Sequence, residues 1–460
     1  NLANISKFED AIIQCNKAIK LEPENGAFYL NLGLVYQKSA NNSLARKAFE
    51  KASNIEEFEY GSLISLANIS KNELDPLHAL TFLEQAIKLS PTAVALNNIG
   101  VMLRDLDLTM AALTFYEAAA RQDPNNIEAT RSLAFLQLRL GQLADGWKTE
   151  SRRLHNKKFI ARQKLNIPFW DGEELFEKSL LITLEEGIGD QILQASMLNS
   201  FLTKTATYLI QCEERLVPLL QRSFPIATVI SYKNITLNDT KLDYQIPAIN
   251  IGKYARQRFD SYPSDQISYI TPDMSLSKKY KEKYSKVFKK NPVVGVTWNS
   301  NSEGYSKYKS LTLEGLQPIF DAAQMNLVSL QYGPVSGTLN EFEKETGVQV
   351  YLDDTVDQLK DLETFFAQVS AMDLVITISN TTAHVAGALG IPTWLILPRG
   401  AGEIWYWFTE RTDSPWYPSV KLFRQTSSVG AHKEWWSEPV DAIASSLSKW
   451  LNSRAKEPSP

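Results

Sequence analysis

The stretch DLVITISNTTAHVAGALGIPTWLILP, residues 373–398, decides the fold of the larger part of this chain. DLVITI is a short, β-branched, uninterrupted apolar run, the pattern of a strand buried on both faces. Asn380, Thr381 and Thr382 follow with amide and hydroxyl groups where a helix would begin. AHVAGALG is small and apolar enough to pack closely, Gly390-Ile391-Pro392 stops it, and TWLIL starts the next strand. A strand–turn–helix–strand unit of this kind aims backbone N–H groups and the positive end of a helix at one spot, which suits a phosphate or diphosphate.

The same alternation extends outward in both directions. From Leu180 on, short apolar runs alternate with amphipathic stretches, so a parallel sheet covered by helices on both faces is expected. LLITL, TYLIQ, ATVIS and YQIPAINI are the strands of a first half; PVVGVTW, LVSLQ, VQVYL, DLVITI, TWLIL and VKLFRQ are those of a second. Between the halves lies SKKYKEKYSKVFKKN (277–291), read as a solvated helix rather than a binding patch. Residues 439–451 read as a terminal helix.

Upstream the pattern is a repeat. NKAIKLEP, LEQAIKLSP and YEAAARQDP end at Pro23, Pro91 and Pro124, steps of 68 and 33 residues, or two repeats and one of about 34. Ala45 and Ala52, Ala79 and Ala86, Ala112 and Ala119 recur at matching positions, with Phe49, Leu83 and Tyr116 between them. Leu32-Gly33 and Ile99-Gly100 mark close approach of paired helices, and Cys15 falls at a packing position. This resembles the tetratricopeptide pattern, in which helical hairpins stack into a solenoid whose concave face grips a peptide or protein, or which serves as a spacer. GWKTESRR (146–153) is the expected closing helix, with Trp147 capping the solenoid.

Composition narrows the function. The chain has 460 residues, 44% hydrophobic and 22% charged, enough for two or three domains. A net charge of −4 leaves no basic footprint for nucleic acid. No run reaches the length of a membrane span and no leader pattern stands at the start. Two cysteines, Cys15 and Cys212, exclude a disulfide framework and favour a cytoplasmic setting. His78, His155, His384 and His432 are scattered, so no metal is expected. Since Asn1 is not a methionine, the sequence is expected to begin within a longer protein.

One turn carries the acid chemistry. Glu185-Glu186-Gly187-Ile188-Gly189-Asp190 joins a strand to a helix; Gly187 and Gly189 allow close backbone approach, and Asp190 stands in the helix's first turn. Asp190 is either a catalytic group or a cap bonding backbone N–H groups. The third glycine of a dinucleotide fingerprint is missing, which disfavours NAD.

Together, 373–398, SPWYPSVKLFRQ (414–425), GWKTESRR, LLITLEEGIGDQIL (180–193) and VVGVTWNSN (293–301) resemble, in order, bacterial proteins that join tetratricopeptide repeats to a glycosyltransferase domain. That domain is related to the heptosyltransferases of glycosyltransferase family 9 and, more distantly, to O-GlcNAc transferases. The resemblance implies an α solenoid followed by an α/β GT-B fold of two Rossmann-like domains. It also implies an inverting, metal-independent transfer of a sugar from a nucleotide-diphosphate donor to an acceptor hydroxyl, with no cofactor. By the same resemblance Asp190 is the general base. Asn380, Thr381, Thr382, His384, Lys309 and Gln331 are the candidate donor-binding residues, Gly187 and Gly189 line the base's loop, and Trp405 and Trp407 are candidate stacking residues. Relatives carry Asp where Asn380 stands and Arg-Ser where Lys309-Ser310 stands, and Lys307 is an alternative cation.

The expected division is a solenoid with its closing helix at 1–155, a linker at 156–178, an acceptor-side domain at 179–288, a donor domain at 289–435, and a terminal helix and tail at 436–460. The partner expected at the repeats is a protein or peptide acceptor. The alternative is a non-catalytic scaffold with a degenerate nucleotide-sugar site.

Overall fold

Helices α1 (Leu2–Leu21), α2 (Gly26–Lys38), α3 (Asn42–Ser53), α4 (Glu56–Asn72), α5 (Pro76–Leu89), α6 (Ala93–Asp105), α7 (Thr109–Gln122) and α8 (Ile127–Arg139) follow one another in the first part of the chain, and from α1 to α7 each packs on the next. The structure, a computed structural model, describes residues 2–73, 75–160, 165–234, 242–288, 291–300, 305–426 and 436–454. Asn301, the loop start at 301–304, the end of the lysine-rich stretch at 289–290, His432 and the tail from 455 lie outside the described residues.

The repeat reading accounts for the packing of this part. All six repeat alanines are buried, as are Phe49, Leu83 and Tyr116. A Cβ on Gly33 would lie 2.5 Å from the Phe49 ring, and one on Gly100 2.5 Å from Tyr116, so only glycine admits the partner ring. Side-chain oxygens of Asn25, Asn41, Asp75 and Thr92 cap α2, α3, α5 and α6.

The chain divides into two compact units, Asn1–Leu136 and Gln137–Pro460. The division falls ahead of 155 because α9 (Leu143–Ser151) is built into the second unit. Trp147 on α9 fills a groove over Gly252, where a Cβ would meet its ring at 2.6 Å, and donates from Nε1 to the Arg256 carbonyl at 2.8 Å. Arg153 donates to Glu185 Oε2 (2.6 Å) and Asn250 Oδ1 (2.8 Å). Trp147 therefore belongs to the α/β unit's own packing rather than acting only as a solenoid cap.

In the second unit, β1 (Ser179–Thr183) leads into α10 (Ile188–Ala195), followed by β2 (Thr207–Cys212), β3 (Thr228–Ser231) and β4 (Tyr244–Pro247). These strands form a parallel sheet of order β3-β2-β1-β4. β4 is shorter than the run YQIPAINI, since Pro247 lacks an N–H and the chain turns into a 3-10 segment at Ala248–Ile251.

Helix α11 (Met274–Val287) precedes β5 (Val293–Val296), β6 (Asn326–Ser329) and β7 (Val350–Leu352). Then come α12 (Leu362–Val369), β8 (Leu374–Ile378), α13 (Thr381–Ala388), β9 (Thr393–Leu397), β10 (Val420–Arg424) and α14 (Ser437–Arg454). The second sheet, also parallel, runs β10-β9-β8-β5-β6-β7. Every residue of β8 and β9 is buried, which is why both read as unbroken apolar runs. Two parallel sheets with helices between their strands are the arrangement that the GT-B resemblance implies.

Val440, Ile443 and Leu447 of α14 join Trp394, Ile396 and Phe320 in the core of the second half. α12 is capped by Asp361, while Asp353 accepts from Lys283 Nζ (2.7 Å) and the Tyr284 hydroxyl (3.0 Å). The lysine-rich helix α11 thus has one anchored face, with Tyr280 and Tyr284 buried, and one solvated face.

Candidate functional site

The loop after β1 is held by glutamines from the helix it enters. Gln194 Oε1 accepts from Glu185 N–H (2.9 Å) and its Nε2 donates to the Glu185 carbonyl (3.1 Å), while Gln191 Nε2 donates to the Glu186 carbonyl (3.0 Å). Between these anchors Glu186 adopts φ 67°, a left-handed conformation uncommon for a residue with a side chain. Gly187 is the N-cap of α10 and Asp190 stands three residues on, with its carboxylate turned back to accept the Gly187 N–H. Burial nonetheless raises the Asp190 pKa from 3.8 to about 6, with the Glu186 charge adding to it. The N–H groups of Gly187 and Asp190, and the Lys309 charge, pull the other way without winning.

The loop after β8 is satisfied internally. Asn380 is the N-cap of α13: its Oδ1 accepts from Thr382 N–H (3.0 Å) and the Thr377 hydroxyl (3.1 Å), and its Nδ2 donates to Thr297 Oγ1 (2.9 Å). Thr297 and Thr377 are themselves 2.5 Å apart, so one amide ties β5, β8 and α13 together. Ala383 N–H, one of the groups expected to hold phosphate, bonds the Asn380 carbonyl at 3.2 Å. Thr381 is half-buried at the helix end, while Thr382 is buried.

Lys309 and Lys307 part company here. Both lie in the one-turn helix Ser306–Lys309, but Lys307 is exposed with its ammonium 6.0 Å from the Tyr308 ring centre, whereas Lys309 is buried. Among the described residues the Lys309 ammonium has no hydrogen bond or ion pair. Burial lowers its pKa, and the Asp190 charge partly offsets this. Gln331, a candidate donor-binding residue, braces the loop after β5: its Oε1 accepts from Trp298 N–H (3.0 Å) and Asn299 N–H (2.8 Å).

The two loops meet at His384. A Cβ on Gly189 would come within 2.7 Å of His384 Cδ2, so the first turn of α10 rests on the imidazole edge. His384 is buried, its Nδ1 lies 2.8 Å from the Tyr417 hydroxyl and its Nε2 3.2 Å from that of Tyr406. Burial drives its pKa down to about 3, and the Lys309 charge adds to the fall, so the ring is neutral. Trp407 stacks on it at 5.4 Å and donates to Ser379 Oγ (2.9 Å). Trp405 stands edge-on to Trp147 (5.6 Å) and Trp416 (6.0 Å), a plug of aromatic rings.

Of the residues singled out in the sequence, Gly189, Asp190, Lys309 and His384 share one electrostatic neighbourhood; Asn380 and Gln331 stand behind it as braces. Tyr406, which clusters in sequence with Trp405 and Trp407, and Tyr417 join the neighbourhood through their hydroxyls, for which the sequence suggested no chemistry. Their only signal was position, one between Trp405 and Trp407 and the other inside SPWYP. Among the described residues, no group of His, Cys, Asp and Glu is placed to hold a metal ion, and no helix is long and apolar enough to cross a membrane.

Residues 27–58 match the tetratricopeptide repeat family. Over 409 residues the chain is 27% identical to Protein FlbA of Caulobacter vibrioides, spanning 83% of this chain and 66% of that protein. The chain thus accounts for just under two thirds of that relative's length. Among solved structures, a glycosyl transferase family 9 protein of Veillonella parvula matches with a TM-score of 0.44 at 13% identity, over 62% of this chain and 100% of that one. The E. coli ADP-heptose lps heptosyltransferase II matches with a TM-score of 0.40 at 12% identity, over 59% of this chain and 99% of that one. Likeness of this size bears on neither substrate nor mechanism; the fold rests on the strand order described above.

Proposed function

We propose that the second unit is an inverting glycosyltransferase that moves a sugar from a nucleotide-diphosphate donor to an acceptor hydroxyl. The observation that carries this reading is the buried, unpaired Lys309 beside a carboxylate whose pKa is raised to about 6. A buried cation with no hydrogen-bonded counter-ion is costly unless an anion arrives to join it. A diphosphate leaving group is such an anion, and Lys309 with the Thr381 end of α13 would hold it as the glycosidic bond breaks. Asp190, ionised at neutral pH but more basic than an ordinary aspartate, would take the acceptor's proton.

The repeats would present the acceptor, a protein or peptide in a cytoplasmic setting, because stacked helical hairpins offer a concave surface for a chain. The scaffold alternative draws on Asn380, whose amide is fully engaged within the fold and brings no charge to the site.

A thermal-shift series against UDP, GDP, ADP, CMP and dTDP and their sugar conjugates tests the reading. One nucleotide at a hundredfold excess over its Kd should stabilise the protein by about 2.7 kcal/mol. Lys309→Met should shrink that shift to about half or less and Asp190→Asn should keep it. No shift with any nucleotide, with or without candidate acceptor peptides, would sink the transferase reading and leave the scaffold.

A further inference from the structure

The GWKTESRR stretch reads as the end of the solenoid, yet it holds the Asp190 helix at both ends. Past the C-terminal end of α10, Arg256 donates from Nη2 to the Ser196 carbonyl (3.1 Å) and from Nη1 to Ser200 Oγ (2.9 Å). The Arg256 carbonyl is in turn the group that accepts from Trp147 of α9. At the other end stands Arg153, on the 3-10 turn Arg152–His155 that follows α9. Its Nη2 donates to Glu185 Oε2 (2.6 Å) and Asn250 Oδ1 (2.8 Å), and its Nε pairs with Glu150 Oε1 at 2.9 Å. Its guanidinium also lies 5.0 Å from the centre of the Phe159 ring. Arg153 and Glu150 are buried, so this planar fork is fixed in direction, which the single ammonium of a lysine would not be.

The turn that Arg153 grips is the one that needs holding. Glu186, between Glu185 and the N-cap Gly187, has φ 67°, a conformation that persists only where its surroundings over-determine it. The side-chain amides of Gln191 and Gln194 bond the backbone of this turn, but they tie it to its own helix. Arg153 ties it to a different part of the chain, and among the described residues it is the one partner of the Glu185 carboxylate. Two residues past Glu185, a Cβ on Gly187 would come within 3.2 Å of Asp190 Oδ2, so the turn and that carboxylate are packed against each other.

We infer that Arg153 is a positioning residue for Asp190: by gripping Glu185 it fixes the turn between β1 and α10, and with it the place where the Asp190 carboxylate stands. The chemical meaning rests on the transferase reading, in which that carboxylate takes the acceptor's proton. An arginine keeps its charge at any pH the protein meets, so Glu185 stays neutralised. Glu186 is then the carboxylate of the turn that acts on Asp190. The other charged or titratable groups around Asp190 are Lys309 and the buried His384, Tyr406 and Tyr417 of the second half. Among the described residues none of these bonds Glu185, so the grip of Arg153 can be changed without touching them.

The test follows the Asp190 carboxyl carbon by nuclear magnetic resonance on the whole, ligand-free chain, the signal being assigned by its loss in Asp190→Asn. Glu185→Ala cuts the tether but leaves Arg153 paired with Glu150. The Asp190 midpoint should then fall by about one pH unit, as the loosened turn admits water. Glu185→Gln removes the same charge yet still offers Arg153 an oxygen, and should keep the midpoint close to that of the wild type. Arg153→Met, made together with Glu150→Gln so that no buried carboxylate is stranded, should lower the midpoint as Glu185→Ala does. Combining it with Glu185→Ala should lower it no further, because the two act through one contact. Equal falls in Glu185→Ala and Glu185→Gln would reduce the effect to lost charge and overturn the inference. An unmoved midpoint in Glu185→Ala, or falls that add in the combined variant, would overturn it too. If the Arg153 variant does not fold, the two Glu185 variants decide alone. None of these readouts needs turnover, so absence of sugar transfer would remove the transferase reading and leave the positioning of Asp190 standing. Where transfer is seen, Glu185→Ala should lower kcat by about ten- to a hundredfold with the donor KM unchanged.

Discussion

Two strand-to-helix turns come together in the second unit, one after β1 and one after β8, and they treat polar groups in opposite ways. The turn after β8 satisfies them: a single amide, Asn380, bonds Thr297, Thr377 and Thr382. The turn after β1 leaves a carboxylate with its pKa raised to about 6, next to a glutamate in a left-handed backbone conformation. Local rules are broken on one side and kept on the other, and rule-breaking concentrates where a fold carries chemistry. Internal bonding belongs to the second turn and the proposed base to the first.

The largest effect expected from that contrast is in turnover. Asp190→Asn should lower kcat by about 10²–10⁴-fold, the usual share of a general base, while leaving the donor thermal shift in place. A variant that transfers sugar at the wild-type rate would move the reactive role elsewhere. Lys309→Met should weaken nucleotide-diphosphate binding by about ten- to a hundredfold and raise the Tm of the ligand-free protein. The sign follows from the lowered Lys309 pKa: the unfolded chain holds that proton more readily, so the charged lysine costs stability at neutral pH. A lower Tm in Lys309→Met would contradict the unpaired buried cation.

The pH dependence sharpens the same comparison. Asp190 binds its proton more tightly folded than unfolded, so its contribution is fully present below about pH 4. That contribution is lost as pH rises to about 6, amounting to at most about 3 kcal/mol. Denaturant melts of the wild type and Asp190→Asn across pH 4–8 should diverge over that window and run parallel above it. The smallest effect belongs to the other turn. Asn380→Ala should cost about 1–2 kcal/mol, through loss of a cap and two buried bonds, without moving the Asp190 midpoint. If it moved that midpoint, the two turns would not be separable in this way.

How far the sequence could be read follows the same division. All ten strands among the described residues were visible because parallel sheets bury both faces and so produce continuous apolar runs, as in β8 and β9. The repeat was visible because Gly33 and Gly100 must admit the Phe49 and Tyr116 rings. The anchoring of α14 was not, since its apolar face would fit either sheet. Lys307 and Lys309 differ in the structure by which side of a one-turn helix faces inward, and no local pattern records that. Asp190 stood out by the glycines beside it, and its proposed role came from the family resemblance. The hydroxyls of Tyr406 and Tyr417 were given no role, because a phenol's partner is set by tertiary contacts far away in the chain: His384 lies 33 residues from Tyr417 and 22 from Tyr406.

Trp147 and Arg153 carry a practical consequence for anyone dissecting this chain. A fragment begun at 156, the natural cut if the repeats are taken as a detachable module, would lose the indole that fills the groove over Gly252 and the guanidinium that pairs with Glu185. Such a piece would expose an apolar trough and a bereft carboxylate at the root of the Asp190 loop, and would come out of expression as aggregate. The shortest piece that keeps the second unit whole starts at Gln137, inside what looks like repeat sequence.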